Sequence, residues 1–187
     1  MSLYPNLHNA VRLITADRIQ RRVHQLGQEI TNTYGVGQPL TVVIVLTGAL
    51  PFAMDLIRQL ELQVTLEFVQ YSSYQGGTVG KEVKRIRSVP SEKLRGKNVL
   101  LVDDILDRGI TMREALDDMH TTIRVNWPKS IRTCVLLDKN QAVERQPHNA
   151  VVEADFTGFV IPNKFVIGYG LDLNECYRNL PDIYELT

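Results

Sequence analysis

The stretch Val99-Leu100-Leu101-Val102-Asp103-Asp104-Ile105-Leu106-Asp107-Arg108-Gly109-Ile110-Thr111 makes conflicting demands on burial. Its apolar start reads as a strand buried on both faces, the usual state of a parallel strand. Acids follow where that strand should leave the sheet. An unpartnered carboxylate is costly to bury, so Asp103 and Asp104 are expected at a rim facing a cleft. Asp107 to Thr111 then forms a short loop feeding a helical pattern at Met112, Ala115, Leu116 and Met119. Backbone N–H groups at a helix N-terminus make a ready anion site. Carboxylates suited to hydroxyls or a metal thus stand beside a cradle suited to phosphate, a pairing that fits a phosphorylated sugar. On these residues alone a plainer reading stays open: strand, turn and helix, with acids near the helix start because its dipole favours them.

Outward from this stretch, strands and helices alternate. Ile19, Val23, Leu26 and Ile30 recur at helical spacing between Thr15 and Tyr34, with Thr15 as the cap and Gly35 to Pro39 as the break. Thr41 to Leu46 is a second doubly apolar strand, followed by Thr47-Gly48 and an amphipathic helix from Phe52 to Leu60. Val64 to Val69 reads as a strand, and Ile131 to Leu137 as a third parallel-type strand. Short late strands are expected at Phe156 to Val160 and Phe165 to Gly170. Ser72 to Lys81 is polar and glycine-rich and reads as a mobile loop. Lys81, Lys84, Arg85 and Arg87 read as a solvated face, because a short basic run without interleaved aromatics argues weakly for RNA. The pattern predicts an α/β fold with a mostly parallel, doubly wound sheet. Ligands of such sheets sit beyond the carboxyl ends of the strands. Leu46-Thr47-Gly48, Asp103-Asp104 and Leu137-Asp138-Lys139 all fall at such ends.

Composition narrows the class. A chain of 187 residues, 44% hydrophobic, is the size of one globular domain with a full core. A formal net charge of +0 gives no general case for nucleic acid. No apolar run approaches the ~20 residues of a membrane span. Met1 to Asn9 holds Pro5, Asn6 and His8 and no apolar centre, so no secretory signal is expected. Cys134 lies in an apolar run and Cys176 in a polar one. They suggest neither a disulfide framework nor a zinc site, and a cytoplasmic location is the default. The four histidines are scattered. G-x-G-x-x-G is absent after the first apolar strand and G-x-x-x-x-G-K-[ST] is absent altogether, which argues against a dehydrogenase or a P-loop enzyme.

Through Asp103, Asp104, Asp107, Gly109 and Thr111 the opening stretch resembles the phosphoribosyl diphosphate (PRPP) binding motif of type I phosphoribosyltransferases. Arg108 departs from it, standing where the family usually has a small residue. Four further pieces are similar to the hypoxanthine-guanine group of that family. Leu46-Thr47-Gly48-Ala49 resembles its diphosphate loop, although relatives often have other residues, including Lys and Gly, at Thr47 and Ala49. Ser73-Tyr74 resembles the pair in its flexible catalytic loop. Lys139 matches the lysine that reads the purine. Asp155 to Asp172, with Asn174, Glu175 and Arg178, resembles its C-terminal purine-site signature.

The resemblance implies a single domain over 1–187, with a flexible loop at about 72–81. A small hood would come from the N-terminal segment and about 160–187. It also implies magnesium-dependent transfer of the phosphoribosyl group from PRPP to N9 of hypoxanthine or guanine, releasing diphosphate and forming IMP or GMP. Asp107, Arg108, Gly109, Ile110 and Thr111 would hold the 5′-phosphate. Asp103 and Asp104 would accept from the ribose hydroxyls. Thr47, Gly48 and Arg178 would meet the diphosphate. Lys139, Phe165, Val166 and Asp172 would form the purine site. Asp107 would be the general acid/base, and Ser73 and Tyr74 would cover the reaction. Asp172 is the expected magnesium ligand, with Asp103 and Asp104 as further carboxylates. The expected partners are small molecules and further copies of the chain, as homodimer or homotetramer, with neither nucleic acid nor membrane. Two other readings on the same fold are a xanthine-preferring enzyme and a PRPP-sensing regulator that binds nucleic acid.

Overall fold

Doubly apolar strands need helices on both faces, and the chain supplies them. The computed structural model describes residues 10–74, 82–122, 127–139 and 152–186. Strand β1 (Ala10–Ile14) leads into helix α1 (Ala16–Tyr34), then β2 (Pro39–Leu46), α2 (Leu50–Ile57), β3 (Gln63–Tyr74) and β4 (Glu82–Arg87). A short helix α3 (Ser91–Leu94), β5 (Asn98–Leu106), α4 (Ile110–Thr122), β6 (Ser130–Asp138), β7 (Phe156–Val160), β8 (Phe165–Ile167) and β9 (Ile183–Leu186) follow. Among the described residues no helix is long and apolar enough to cross a membrane.

The main sheet has the order β4-β3-β2-β5-β6-β7. All its pairings are parallel except β3 with β4. Alternate residues of the central strands enter separate cores. Val42 and Ile44 of β2, with Leu100 and Val102 of β5, meet α1 and α2 through Ile19, Val23, Leu26, Phe52 and Leu56. Val43, Val45, Val99 and Leu101 face the other way, against Met112, Ala115 and Met119 of α4. Each such side chain taken fully out of water contributes about 1.5–3 kcal/mol, so a one-residue slip of either strand would exchange the two cores.

Local signals mark the helix ends. The Thr15 hydroxyl accepts from the Arg18 N–H at 3.3 Å. Gly35, at φ 93°, closes α1 with its N–H on the Thr31 carbonyl, a conformation that suits glycine. A second, smaller sheet of order β1-β9-β8 forms the hood expected from the termini. It is joined to α1 through Asp182, whose carboxylate accepts from the Ala16 N–H at 2.6 Å and from Arg12 at 3.3 Å.

Several expectations are corrected. Ser72 to Tyr74 continue β3, because β4 pairs with them (Ser72 with Lys84, Ser73 with Val83, Tyr74 with Glu82). The expected loop therefore begins no earlier than residue 75, and residues 75–81 lie outside the described ones. The basic run is largely strand β4, and its described side chains, Arg85 and Arg87, are exposed, in keeping with the solvated face expected. Arg85 pairs with Asp118 and Arg87 lies 5.6 Å from the centre of the Phe68 ring. The second helix begins two residues earlier than predicted, with Pro51 in its first turn, where a missing N–H costs nothing. β1 and β9 have no counterpart among the expected strands, since each is a strand through a partner at the opposite end of the sequence.

Candidate active site

The strand order reverses direction between β2 and β5: α2 carries the chain outward to β3, and α4 carries it the other way to β6. A crevice opens at such a switch point. The pairing shows how. β2 and β5 pair only as far as Ile44 with Val102, whereas β5 stays paired to β6 through Leu106 with Asp138. Beyond Val102, β5 therefore has a neighbour on one side only, and Asp103 and Asp104 stand at the open edge.

The acids are graded in exposure. Asp103 is nearly buried, Asp104 is half-buried and Asp107 is exposed. The expected rim position is corrected for Asp103, which faces the cleft but is buried: the strand does not end before it but carries it inside. Its Oδ1 accepts from the Asp104 N–H at 2.9 Å. Burial raises its carboxyl well above the usual range, and the neighbouring Asp104 raises it further. Burial also raises Asp104, although hydrogen bonds and the Arg178 charge pull the other way. A close pair of buried carboxyls resists double ionisation, and arriving positive charge relieves that resistance.

Gly109, at φ 70°, turns the chain into α4. The first intrahelical bond runs from the Arg113 N–H to the Gly109 carbonyl at 2.9 Å. The N–H groups of Ile110, Thr111 and Met112 therefore precede any intrahelical partner. They border a cavity of about 420 Å³ lined by the unbroken run from Asp103 to Met112 together with Gly48, Asp172 and Arg178. A second cavity, of about 240 Å³, is lined by Lys139, Phe165, Val166 and Leu171. The two share a wall of Asp104, Ile105, Asp107 and Asp172.

The loop after β8 completes both. Gly170 packs so closely on the Gly48 carbonyl that a Cβ there would lie 2.0 Å from it. Arg178 donates to the Gly170 carbonyl at 2.6 Å and pairs with Asp172 at 2.7 Å. Asp172 also accepts from the Glu175 N–H. Gly48 in turn leaves room for the Asp104 carboxylate, whose Oδ2 lies 1.8 Å from where a Cβ would stand. Tyr169 straps this loop to α2, its hydroxyl donating to Asp55 at 2.7 Å.

Most residues singled out from the sequence meet here: Asp103, Asp104, Asp107, Arg108, Gly109, Ile110, Thr111, Gly48, Asp172 and Arg178 in the first cavity, and Lys139, Phe165 and Val166 in the second. Lys139 is not the solvated lysine its strand-end position suggests by default; it is buried, its backbone N–H held by the Leu106 carbonyl at 2.9 Å. Thr47 is exposed on the turn and does not line the cavity, although Gly48 beside it does. Ser73 and Tyr74 are described by their backbone at the end of β3. Tyr71 lines the first cavity and belongs to none of the motifs; alternation with Val69 is the one sequence signal that points to it.

The donors facing the cavities are hard carboxylate oxygens, and among the described residues no three metal-ligating side chains form a cage. That set fits magnesium, which takes one or two carboxylates and completes its shell with water and substrate phosphate.

A doubly wound sheet with an anion cradle, acids and a base-sized cavity at its switch point defines a protein that handles a phosphorylated sugar joined to a ring. Residues 13–173 match the family model described as the phosphoribosyl transferase domain. The chain is 41% identical over 172 residues to a hypoxanthine-guanine phosphoribosyltransferase of Aquifex aeolicus, covering 92% of each. It is 40% identical to the enzyme so named in Bacillus subtilis, covering 91% of this chain and 89% of that one. Among solved structures, a hypoxanthine phosphoribosyltransferase of Staphylococcus aureus superposes with a TM-score of 0.82 at 33% identity, covering 100% of this chain and 98% of the other. The chain belongs to the phosphoribosyl transferase family, and it is an enzyme.

Proposed function

We propose that this enzyme transfers the phosphoribosyl group of PRPP to N9 of hypoxanthine or guanine in purine salvage, forming IMP or GMP and diphosphate. The carrying observation is the shared wall: Asp104, Asp107 and Asp172 stand between a cavity with an anion cradle and a cavity with a buried lysine. Glycosyl transfer needs that arrangement, because the breaking and forming bonds share one carbon.

In the first cavity the N–H groups from Asp107 to Thr111, with the Thr111 hydroxyl and the Arg108 guanidinium, hold the 5′-phosphate in the field of the α4 dipole. Asp103 and Asp104 accept from the ribose hydroxyls, and their carboxylates favour the positive charge that develops on the ribosyl ring. Gly48 and Arg178 meet the diphosphate. Asp172, with Asp103 and Asp104 as further oxygen donors, would hold magnesium, which supplies charge neutralisation for the leaving diphosphate. In the second cavity Lys139 donates to the 6-oxo group, Val166 offers backbone to the base and Phe165 stacks on it. A 6-amino group cannot accept from Lys139, and a buried ammonium left unpaired discriminates strongly. Asp107 exchanges a proton with N7. The resemblance supports Ser73 and Tyr74 as the cover that keeps water from PRPP, and it supports a homodimer or homotetramer.

A panel of hypoxanthine, guanine, xanthine and adenine, assayed with PRPP and magnesium for diphosphate release, tests the reading. Hypoxanthine and guanine are expected to turn over and adenine is not. A chain that releases diphosphate with none of the oxopurines does not have this function.

A further inference from the structure

Tyr71 carries a second observation that the motifs leave unused. It stands two residues after Val69 on β3, so it shares the face of the sheet covered by α4. Its ring packs against that core and also lines the cavity assigned to the phosphoribosyl group. Its hydroxyl donates to Oδ2 of Asp118 on α4 at 3.0 Å. Oδ1 of the same carboxylate takes the Arg85 guanidinium from β4 at 2.5 Å. One carboxylate thus ties both strands of the edge hairpin to the helix whose first turn is the phosphate cradle. Burial raises the Tyr71 hydroxyl above its ordinary range, and Asp118 raises it further. It therefore remains a donor at every working pH. Hydrogen bonds to an ionised, partly buried acceptor are stronger than neutral ones.

We infer that Tyr71 is a further substrate-contacting residue of the phosphoribosyl cavity and that Asp118 is the positioning residue that holds its ring there. The inference rests on the PRPP reading of that cavity and adds a side chain to it. Asp118 fixes the hairpin at a set distance from the cradle two helical turns away. It therefore acts on the phosphoribosyl ligand and leaves the base alone, since Tyr71 does not line the second cavity.

The test measures PRPP binding by calorimetry in magnesium buffer, beside KM for PRPP and for hypoxanthine, on the full chain. Tyr71→Phe removes only the hydroxyl, and Asp118→Ala removes its acceptor. Each is expected to weaken PRPP roughly 5- to 20-fold, less than the full worth of a charge-assisted hydrogen bond because the lost bond positions the ring and does not itself touch the ligand, with the hypoxanthine KM changed less than about two-fold. The double variant is expected to be no weaker than Asp118→Ala alone, because that variant already deletes the bond that Tyr71→Phe removes. Asp118→Asn keeps an oxygen acceptor and is expected to recover most of the loss. Arg85→Ala, which breaks a more exposed pair, is expected to cost about two-fold. PRPP affinity unchanged in Tyr71→Phe, equal losses for both substrates, or losses that multiply in the double variant would each overturn the inference. If Asp118→Ala fails to fold, Tyr71→Phe decides alone. A wild-type chain that binds PRPP but transfers to no oxopurine overturns the proposed function and leaves this inference standing; one that does not bind PRPP overturns both.

Discussion

The two cavities are built in opposite ways. The first cavity, proposed for the phosphoribosyl group, takes most of its lining from the unbroken run Asp103 to Met112, one strand end, one loop and one helix start, with Asp172 and Arg178 added from beyond β8. The base cavity takes Lys139 from the end of β6 and Phe165 and Val166 from β8, which pairs not with the main sheet but with β9. The loop of the first lies between the paired end of β5 and the first turn of α4. The second depends on how the terminal sheet sits: Ile14, Val166 and Ile183 of its three strands join the core under α1 and α2, and Asp182 and Tyr169 add polar ties to the start of α1 and to Asp55.

The largest effect is expected at the shared wall. Asp107→Asn is expected to lower kcat by roughly 10²–10⁴-fold, the usual worth of general acid/base catalysis. PRPP affinity should change only a few-fold, because the cradle N–H groups remain. Single-turnover rates beside PRPP titrations check this, and near-normal turnover would take the proton-transfer role from Asp107. Lys139→Ala tests whether the base cavity works independently. Hypoxanthine kcat/KM is expected to fall by roughly 10–100-fold, as for a deleted charged hydrogen bond, while PRPP binding holds. Equal losses for both substrates would mean that the cavities are not separable.

The smallest effect concerns the fastening of the terminal sheet. Burial alone would push the Asp182 carboxyl up, but the Ala16 N–H, Arg12 and the Tyr184 hydroxyl outweigh it and hold the carboxyl below its ordinary value. A carboxyl lowered on folding contributes its stability in full above the unfolded pKa of about 3.9 and loses it as pH falls through the folded value. Asp182→Ala is expected to cost about 1 kcal/mol near neutral pH, the worth of a helix-start acceptor. The gap between wild type and variant should shrink as pH drops below about 4. Thermal melts across that range measure the gap, and a pH-independent gap would remove the ionised carboxylate from the account.

Much of this architecture is legible in the amino-acid sequence. The cap at Thr15, the stop at Gly35, the doubly apolar strands and the α4 pattern are short-range signals, and each appears close to where it is expected. The acids are legible as chemistry but not as burial. Asp103 lies inside because β6 follows β5 further than β2 does, and that difference in register leaves no local mark. Lys139 is equally plain as a residue and equally silent about its surroundings. Tyr71 stands in a polar stretch, and its places beside the cavity and beside Asp118 come from the packing of α4 over β3.

The sequence by itself determined the doubly wound class, the anion cradle and the acids beside it, because these follow from periodicity, backbone geometry and charge within a few neighbouring residues. Only the tertiary structure decided which wall Asp107 shares with Lys139, how deep Asp103 lies and what closes the base cavity. Those depend on pairings between residues as distant as Ala10 and Leu186, and such contacts are fixed by the packing of whole elements rather than by any local preference.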